Sequence, residues 1–238
     1  MKKVQSLLEK IADHREEIAK GKLFQWLSDE SIDGYHRLSF TPNCLSYLMG
    51  FKDVLSLLRR PNPENELETA INAYCAEDGE HWPWYLKDME KLGFNIQTWG
   101  NNLVKWCHEA WSPETEINRQ TIFHLMYHAQ SCRHPIYSLS MIWVFEATGV
   151  IFIGNSRKAA ISLGMDETLL YFGRTHYEEE FSHSVVAQDY ADIEIEDSLH
   201  DQICEMIDQL FNDYTKMFTC WYELRNKYSL SKVLQLAN

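Results

Sequence analysis

The sequence predicts an all-α fold, a single-domain bundle of about seven to nine helices spanning residues 1–238. Apolar residues recur at spacings of three and four along nearly the whole chain, as on the buried faces of helices. The six prolines and ten glycines fall mostly at the breaks between these segments. Strand-like alternation is nearly absent, with 150–153 as the one short exception. No internal repeat, low-complexity tract or interdomain linker interrupts the pattern, and 238 residues suit one large domain.

Each helix follows from an apolar stripe and from the residue that interrupts it. Thr41 and Pro42 form a favourable helix start, an N-cap followed by proline at the first helical position. A helix from residue 63 is expected to run toward His81, where Pro83 kinks or restarts it. The other expected helices cover 4–18, 23–27, 45–58, 85–92, 98–110, 112–132, 136–148, 150–164 and 167–186.

The last long element has the most regular stripe. Its apolar residues are separated only by spacings of three and four, which predicts one wall of a bundle. These residues are Leu199, Ile203, Met206, Leu210, Tyr214, Met217, Trp221 and Leu224.

Composition excludes several classes of function. The chain is 45% apolar, enough for a sizeable core, and its formal charge of −13 repels nucleic-acid phosphates and anionic membrane surfaces. The six cysteines include no Cys-x-x-Cys pair, and the sequence begins without the apolar run of a signal peptide. No window reaches 18 apolar residues, so no transmembrane helix is expected. We therefore expect a soluble cytoplasmic protein whose cysteines are buried free thiols.

One segment near residue 180 carries the pattern of a metal site. His176, Glu180 and His183 stand at i, i+4 and i+7, within roughly 60° of arc on one helix face. Imidazole and carboxylate groups on one face are typical ligands of non-haem iron and related metals. A solvated charged turn is the alternative, since 178–180 are all glutamates.

Two other segments supply the remaining candidate ligands. Glu77 and His81 stand at i, i+4, so on one helix they would point the same way, with Glu80 as the alternative to Glu77. Glu146 follows the apolar run 141–145, where an ionised carboxylate needs a cation, a partner or a raised pKa. An exposed helix end is the alternative for Glu146. The six candidate metal ligands are Glu77, His81, Glu146, His176, Glu180 and His183.

The order of these motifs resembles a known family. A Glu/His pair, an isolated glutamate on a later apolar helix, and then Tyr171-x4-His176-x3-Glu180-x2-His183 is similar to the haem-oxygenase-like di-iron oxidases, also called iron-containing redox enzymes. The stretch 81–93 resembles the same superfamily, which includes the TenA-type thiaminases and the PQQ-biosynthesis synthases. The resemblance covers about 21–186. It departs from the family at Tyr74, where an acidic ligand is usual.

The resemblance implies a haem-oxygenase-like bundle and a non-haem iron oxidoreductase that activates dioxygen on a small organic substrate. The expected cofactor is iron, as one ion or two, with manganese as an alternative and without haem. The expected partners are a small-molecule substrate and dioxygen, with a homodimer as one option for assembly. Nucleic acid and membrane are not expected partners, and no catalytic residue is assigned beyond the metal ligands.

A TenA-type thiaminase is one competing interpretation. Such an enzyme needs an activated cysteine nucleophile among aromatic residues. Ser138, Ser140 and Ile142 occupy the region where that cysteine is expected. Cys132 lies nearby at a different spacing, and Cys220 has aromatic neighbours but is more simply a structural thiol.

Two further interpretations remain. His14 on the first helix could be a haem ligand, but the glycine-rich helix of the haem oxygenases is missing, and a surface histidine is favoured. His124 and His128 stand at i, i+4 and are interpreted as structural. A helical binding domain without catalytic chemistry is the non-enzyme alternative, and metal content would distinguish it.

Overall fold

The computed structural model describes residues 1–94, 103–183 and 186–228, and over these residues the protein is an all-α bundle. Within the described residues, nine helices have eight residues or more, in agreement with the seven to nine predicted, and two are shorter. The helices are α1 Gln5–Ala19, α2 Lys22–Ser28, α3 Gly34–Arg37, α4 Leu45–Leu58, α5 Glu66–Asp78, α6 Trp82–Lys91, α7 Leu103–Ala110, α8 Glu116–Ser131, α9 Pro135–Ser162, α10 Arg174–His183 and α11 Asp197–Glu223. Short 3₁₀ turns cover Thr41–Cys44, Pro113–Thr115 and Val186–Tyr190.

Helix α9 is the centre of the bundle. Helices α1, α2, α3, α5, α10 and α11 all pack against it, while α4 packs on α5 and α8. Residues 136–148 of α9 are buried without interruption. This helix is long and apolar enough to cross a membrane, yet 83% of its apolar window is buried inside the protein. A core helix of a soluble protein has the same properties, so the length of α9 is weak evidence for a membrane.

The helix ends follow from local chemistry. The His134 ring accepts a hydrogen bond from the backbone N–H of Ile136 at 3.2 Å, and Pro135 occupies the first helical position of α9. Asn65 caps α5 by accepting from the backbone N–H of Glu68 at 3.0 Å. Gly164 follows α9 with φ of 67°, a backbone conformation that glycine adopts without strain.

The N-terminal residues are tied to the start of the last helix. Strands β1, Lys2–Lys3, and β2, Glu194–Ile195, form an antiparallel pair, with Lys2 opposite Ile195. Helix α11 then runs 27 residues with the predicted stripe buried from Ile203 to Trp221. The prediction of a long wall helix at this position is confirmed.

Several predicted boundaries are wrong. Gly149 does not end a helix, because α9 continues through it to Ser162, and 150–153 are helical. The helix expected over 167–186 begins only at Arg174. Helix α5 ends at Asp78 instead of running to His81. The predicted helix 98–110 lies partly outside the described residues, and its described part is α7.

The cysteines only partly follow the expectation of buried thiols. All six are free, and Cys44 and Cys75 are buried. Cys107 is exposed, and the other three are half-buried.

The stability of the bundle should depend on a buried histidine between α8 and α9. His128 Nδ1 lies 2.8 Å from the Tyr137 hydroxyl, and burial lowers the pKa of His128 below 6.5. The unfolded chain therefore binds protons that the folded chain does not, and stability falls as pH drops below about 6.5. We expect the thermal midpoint of unfolding to fall between about pH 7 and pH 5.5, and less steeply in H128Q.

The control for this experiment is H108Q, which removes an exposed histidine. An H128Q variant whose midpoint falls as steeply with acid as that of the parent protein would contradict the assignment.

Candidate metal centre

A cluster of histidines and carboxylates lies where α5, α6, α9 and α10 meet. Asp78 is the last residue of α5, and His81 immediately precedes α6. His176, Glu179 and Glu180 come from α10. Because α5 stops at Asp78 and a turn follows, Asp78 and His81 face each other across that turn. We call these five residues the histidine–carboxylate cluster.

His81 links α5 to α10 through both of its ring nitrogens. Its Nδ1 lies 3.0 Å from Asp78 Oδ1, and its Nε2 lies 3.0 Å from Glu179 Oε2. A neutral imidazole carries a proton on only one nitrogen. One of the two contacts therefore needs a second proton or a metal cation.

His176, on α10, also makes a contact that needs a second proton or a cation. Its Nδ1 lies 2.9 Å from the Tyr171 carbonyl oxygen, which can only accept, so the proton is on Nδ1. Its Nε2 lies 3.1 Å from Glu180 Oε1. Burial lowers the pKa of His176, which is 2% exposed, and so favours the neutral ring. The Nε2 lone pair of that ring then faces a carboxylate oxygen, an arrangement that a shared proton or a cation stabilises.

Three residues of the cluster could hold one metal ion. Asp78, His81 and His176 are all buried, and one potential ligand atom from each lies within 4.8 Å of the others. Ligand bonds of about 2.1 Å put two ligands on opposite sides of an ion about 4.2 Å apart. The three ligand atoms would therefore have to move toward one another on binding an ion.

Glu146 lies beside the cluster on α9. Its side chain is buried. Burial is the largest influence on the pKa of both His176 and Tyr74, lowering the first and raising the second, and the nearby charge of Glu146 acts to raise each. Glu180 also raises the pKa of Tyr74 and of Tyr171, although burial is the largest cause for both tyrosines. The site therefore concentrates negative charge that a cation would offset.

Hydrogen bonds favour the ionised form of the Asp78 carboxylate. Burial alone would raise its pKa, but hydrogen bonds from His81 and from the Tyr74 hydroxyl, together with the charge of His81, lower it below 3.8. The Tyr74 hydroxyl donates to Asp78 Oδ2 at 2.6 Å. An ionised carboxylate in a buried site is a suitable ligand for a metal.

The structure brings most of the sequence-predicted ligands together, and it leaves Glu77 exposed. His81, His176 and Glu180 belong to the cluster, and Glu146 lies next to it. Glu77 is exposed, as is Glu80, and the neighbouring residue Asp78 is the carboxylate that faces His81. The i, i+4 expectation for Glu77 was wrong because His81 lies outside α5, beyond its C-terminal turn. The side chain of the sixth candidate, His183, lies outside the described part of the structure.

The sequence pattern did not predict a role at this site for Glu179, Tyr74 or Asp88. Gly79 was the sequence signal that could have identified Asp78, because a glycine there indicates that α5 ends at that point. The residue that faces His81 is then Asp78, three positions earlier.

Aromatic rings surround the two histidines. The Trp84 ring stacks on His81, with centroids 4.5 Å apart at 23°. The rings of His81 and His176 also lie 4.5 Å apart, and Tyr171 contacts His176 at the same distance. These contacts limit the rotation of both imidazoles.

A cavity of about 60 Å³ opens beside the cluster, and we call it the first cavity. Asp78, His81, His176 and Glu180 line one side of it. Much of the remaining wall is aromatic, formed by Tyr47, Phe51, Tyr74, Trp82, Phe145, Phe152, Tyr171, Tyr214, Phe218 and Trp221. A few polar ligands converging on an apolar cavity are typical of a small-molecule site.

Gly149 allows Glu180 to reach the cluster. A methyl group at position 149 would lie 2.6 Å from Glu180 Oε2, well inside contact distance. Glycine at this point of α9 therefore makes room for a carboxylate from α10. This packing explains a glycine inside the central helix that helix propensity alone disfavours.

Asp88 fixes the segment that holds His176. Its carboxylate is fully buried and accepts three backbone hydrogen bonds, from Leu170 and Tyr171 at 2.8 Å and from Phe172 at 3.0 Å. Burial raises the pKa of Asp88, and the three donors oppose that rise. Because the Tyr171 carbonyl accepts from His176, Asp88 on α6 sets the position of a ring on α10.

The residues of the competing interpretations lie elsewhere. Cys220 Sγ contacts the Glu114 carbonyl oxygen, and burial raises the pKa of its thiol. His14 stacks on Phe211 and contacts Asp208 at 2.7 Å. His124 pairs with Asp213 at 2.7 Å, and His128 with Tyr137, as expected for structural histidines.

Ser138, Ser140 and Ile142 are buried within α9, and Cys132 is half-buried. Among the described residues lining the first cavity there is no cysteine.

Comparison with protein-family models gives no match for the chain, and comparison with curated proteins gives none either.

Replacing Asp88 by asparagine should destabilise the fold. The variant puts an amide group against backbone donors, and hydrogen bonds to a charged group contribute about 1.5–3 kcal/mol. We expect D88N to lose about 3 kcal/mol of unfolding free energy in urea denaturation. The matched variant E90Q changes an exposed carboxylate of the same helix and should stay within about 0.5 kcal/mol of the parent. A loss below about 1 kcal/mol in D88N would show that the three hydrogen bonds do not hold the segment.

Proposed function

We propose that this protein is a non-haem iron enzyme that activates dioxygen to oxidise a small organic substrate. The observation that carries the proposal is the buried group of Asp78, His81 and His176 on the wall of an aromatic cavity. The contact of His176 Nε2 with Glu180 Oε1 at 3.1 Å supports a cation there, because both atoms are acceptors when the ring is neutral and the carboxylate ionised. The sequence resemblance to the haem-oxygenase-like di-iron oxidases points to the same chemistry.

The donor set favours iron. Two histidines and one carboxylate leave open positions and are typical of non-haem Fe(II) oxygenases, and manganese accepts similar ligands. Asp78, His81 and His176 would hold one ion. Glu180 and Glu146 add carboxylates on the α9 and α10 side, which would suit a second ion.

Iron, when bound, would supply the reduction of dioxygen, and the protein's residues would control its surroundings. The Tyr74 hydroxyl donates to Asp78 Oδ2 and keeps that carboxylate oriented. The Tyr171 carbonyl accepts from His176 Nδ1 and directs Nε2 into the site. The aromatic wall excludes water, which strengthens the electrostatic interactions of the carboxylates.

The first cavity limits the size of the substrate. A volume of about 60 Å³ has room for only a few water-sized molecules. The part of the substrate that approaches the cluster would therefore be small and largely apolar.

A cytoplasmic location and a homodimer stay predictions from the sequence.

The thiaminase alternative has less support. Its nucleophile would be a thiolate, and burial raises the pKa of the Cys220 thiol instead of lowering it. Measuring the metal content of the purified protein distinguishes the proposed enzyme from a binding domain without catalytic chemistry.

Two adjacent carboxylates provide a sharp test of the metal site. Anaerobic titration of the purified protein with Fe²⁺ should show tight binding, and D78N should weaken it by at least about tenfold because a buried ligand is lost. E77Q should bind iron like the parent, since Glu77 is exposed. Circular dichroism of both variants controls for folding.

The opposite result, in which E77Q weakens iron binding and D78N does not, would support the ligand set first expected from the sequence. A parent protein that binds neither iron nor manganese would favour the binding-domain alternative.

Gly149 provides a test of how Glu180 is placed. The methyl group of G149A would displace the Glu180 carboxylate, whereas alanine is favoured over glycine within a helix by about 1 kcal/mol. We expect G149A to keep its helix content and thermal stability but to bind iron about tenfold more weakly. The control is G154A, whose methyl group would meet the Tyr177 ring at 3.2 Å, and it should bind iron normally. Equal iron affinities in the two variants would contradict a role for Glu180.

A further inference from the structure

A second, larger cavity of about 280 Å³ lies between α1, α2 and α11. Its inner wall is apolar, with Ile18, Leu23, Phe24, Phe211 and Phe218. Its rim is formed by exposed residues, among them Thr215 and Thr219 of α11. The cavity therefore connects an apolar interior with the protein surface.

Most of the charged groups at this rim are paired, and the exception among the described residues is Lys22, for which the structure gives no ion pair. Asp208 contacts Lys10 at 2.6 Å and His14 at 2.7 Å, and Glu17 contacts Lys20 at 2.5 Å. The charge left unpaired at the rim is therefore that of Lys22, whose side chain is exposed to solvent. The chemistry of the cavity suits a neutral, apolar molecule.

Phe218 separates the two cavities, because its side chain lines both. On one side Phe24 meets its ring edge-on, with centroids 5.0 Å apart. On the other side Phe152 stacks on it at 5.9 Å and 18°. Phe152 also lines the first cavity, so one aromatic side chain is the partition between the surface cavity and the cavity of the metal centre.

The volumes of the two cavities indicate why a connection between them would matter. Pockets for small organic ligands usually have about 300–1,000 Å³, and the first cavity has about 60 Å³. The second cavity nearly reaches that range, and the two together would enter it. Among the residues lining the first cavity, the exposed one is Lys52, whose ammonium group lies 5.6 Å from the Trp82 ring. An access route at that end would pass a charged side chain.

We propose that the second cavity binds a small, neutral, apolar molecule, and that Phe218 is a movable partition through which such a molecule reaches the first cavity. Rotation of one aromatic ring would join the cavities without movement of a helix. The identification of this molecule as the enzyme's substrate rests on the proposed function, whereas the binding site itself does not.

Benzene is a suitable probe, since apolar cavities of this size bind it. Metal-free protein would be titrated with benzene, and the imidazole NMR signals of His14 and His176 would report on the second and first cavities. In the parent protein we expect saturable shifts of the His14 signals. T215W, which fills the second cavity, should weaken benzene binding at least tenfold, and K216W, on the adjacent exposed position, should leave it within about twofold.

F218L opens the partition, and benzene should then shift the His176 signals more strongly than in the parent protein. F218M, which keeps more of the side-chain volume, replaces it if F218L does not fold.

The proposal is overturned by any of three outcomes: no saturable shift of His14, equal binding in T215W and K216W, or unchanged His176 signals in the partition variant. All measurements use metal-free protein, so failure here is distinct from failure of the iron site.

Discussion

The candidate centre depends on the three hydrogen bonds that the Asp88 carboxylate accepts from residues 170–172. They join α6, which begins just after His81, to the segment that precedes α10, which carries His176. Without this link the Tyr171 carbonyl would not be fixed, and the His176 ring would lose the acceptor that sets its tautomer. The hydrogen bonds that satisfy the buried Asp88 carboxylate therefore also order the parts of the chain that hold the two histidines.

The packing of α10 against α9 supplies the second constraint. Glu180 approaches the α9 backbone at Gly149, and Tyr177 approaches it at Gly154. Two small residues on the central helix thus allow close contact with a helix that carries charged side chains. The concentration of Asp78, Glu146, Glu179 and Glu180 near two imidazoles is electrostatically unfavourable without protons or a cation. The group of Asp78, His81 and His176 could therefore bind a metal ion.

Much of this architecture could be predicted from the sequence. The stripe of α11, the proline-initiated start of α9 and the shared face of His176 and Glu180 depend on local periodicity, which a single sequence displays. The interpretation of Gly149 as a break failed because the reason for that glycine is a tertiary contact with Glu180. Propensity favours a helix end at such a residue, and only the position of α10 reveals the close approach.

The sequence pattern pointed to Glu77, with Glu80 as the alternative, and not to Asp78, for a related reason. A helix that ends three residues earlier changes which carboxylate faces His81, and element boundaries are the least certain part of a sequence reading. Asp88 could not be found at all, because its partners are backbone N–H groups more than 80 residues away. Backbone donors leave no signature in the sequence.

The most direct test of the central claim is the crystal structure of protein loaded anaerobically with Fe²⁺, with anomalous diffraction recorded at the iron edge. The account predicts an anomalous peak within about 2.0–2.3 Å of donor atoms of Asp78, His81 and His176, with Glu180 or Glu146 at the same ion or at a neighbouring one. A peak confined to exposed carboxylates, or a cluster whose histidines keep only their contacts with Asp78, Glu179 and Glu180 at saturating iron, would contradict it.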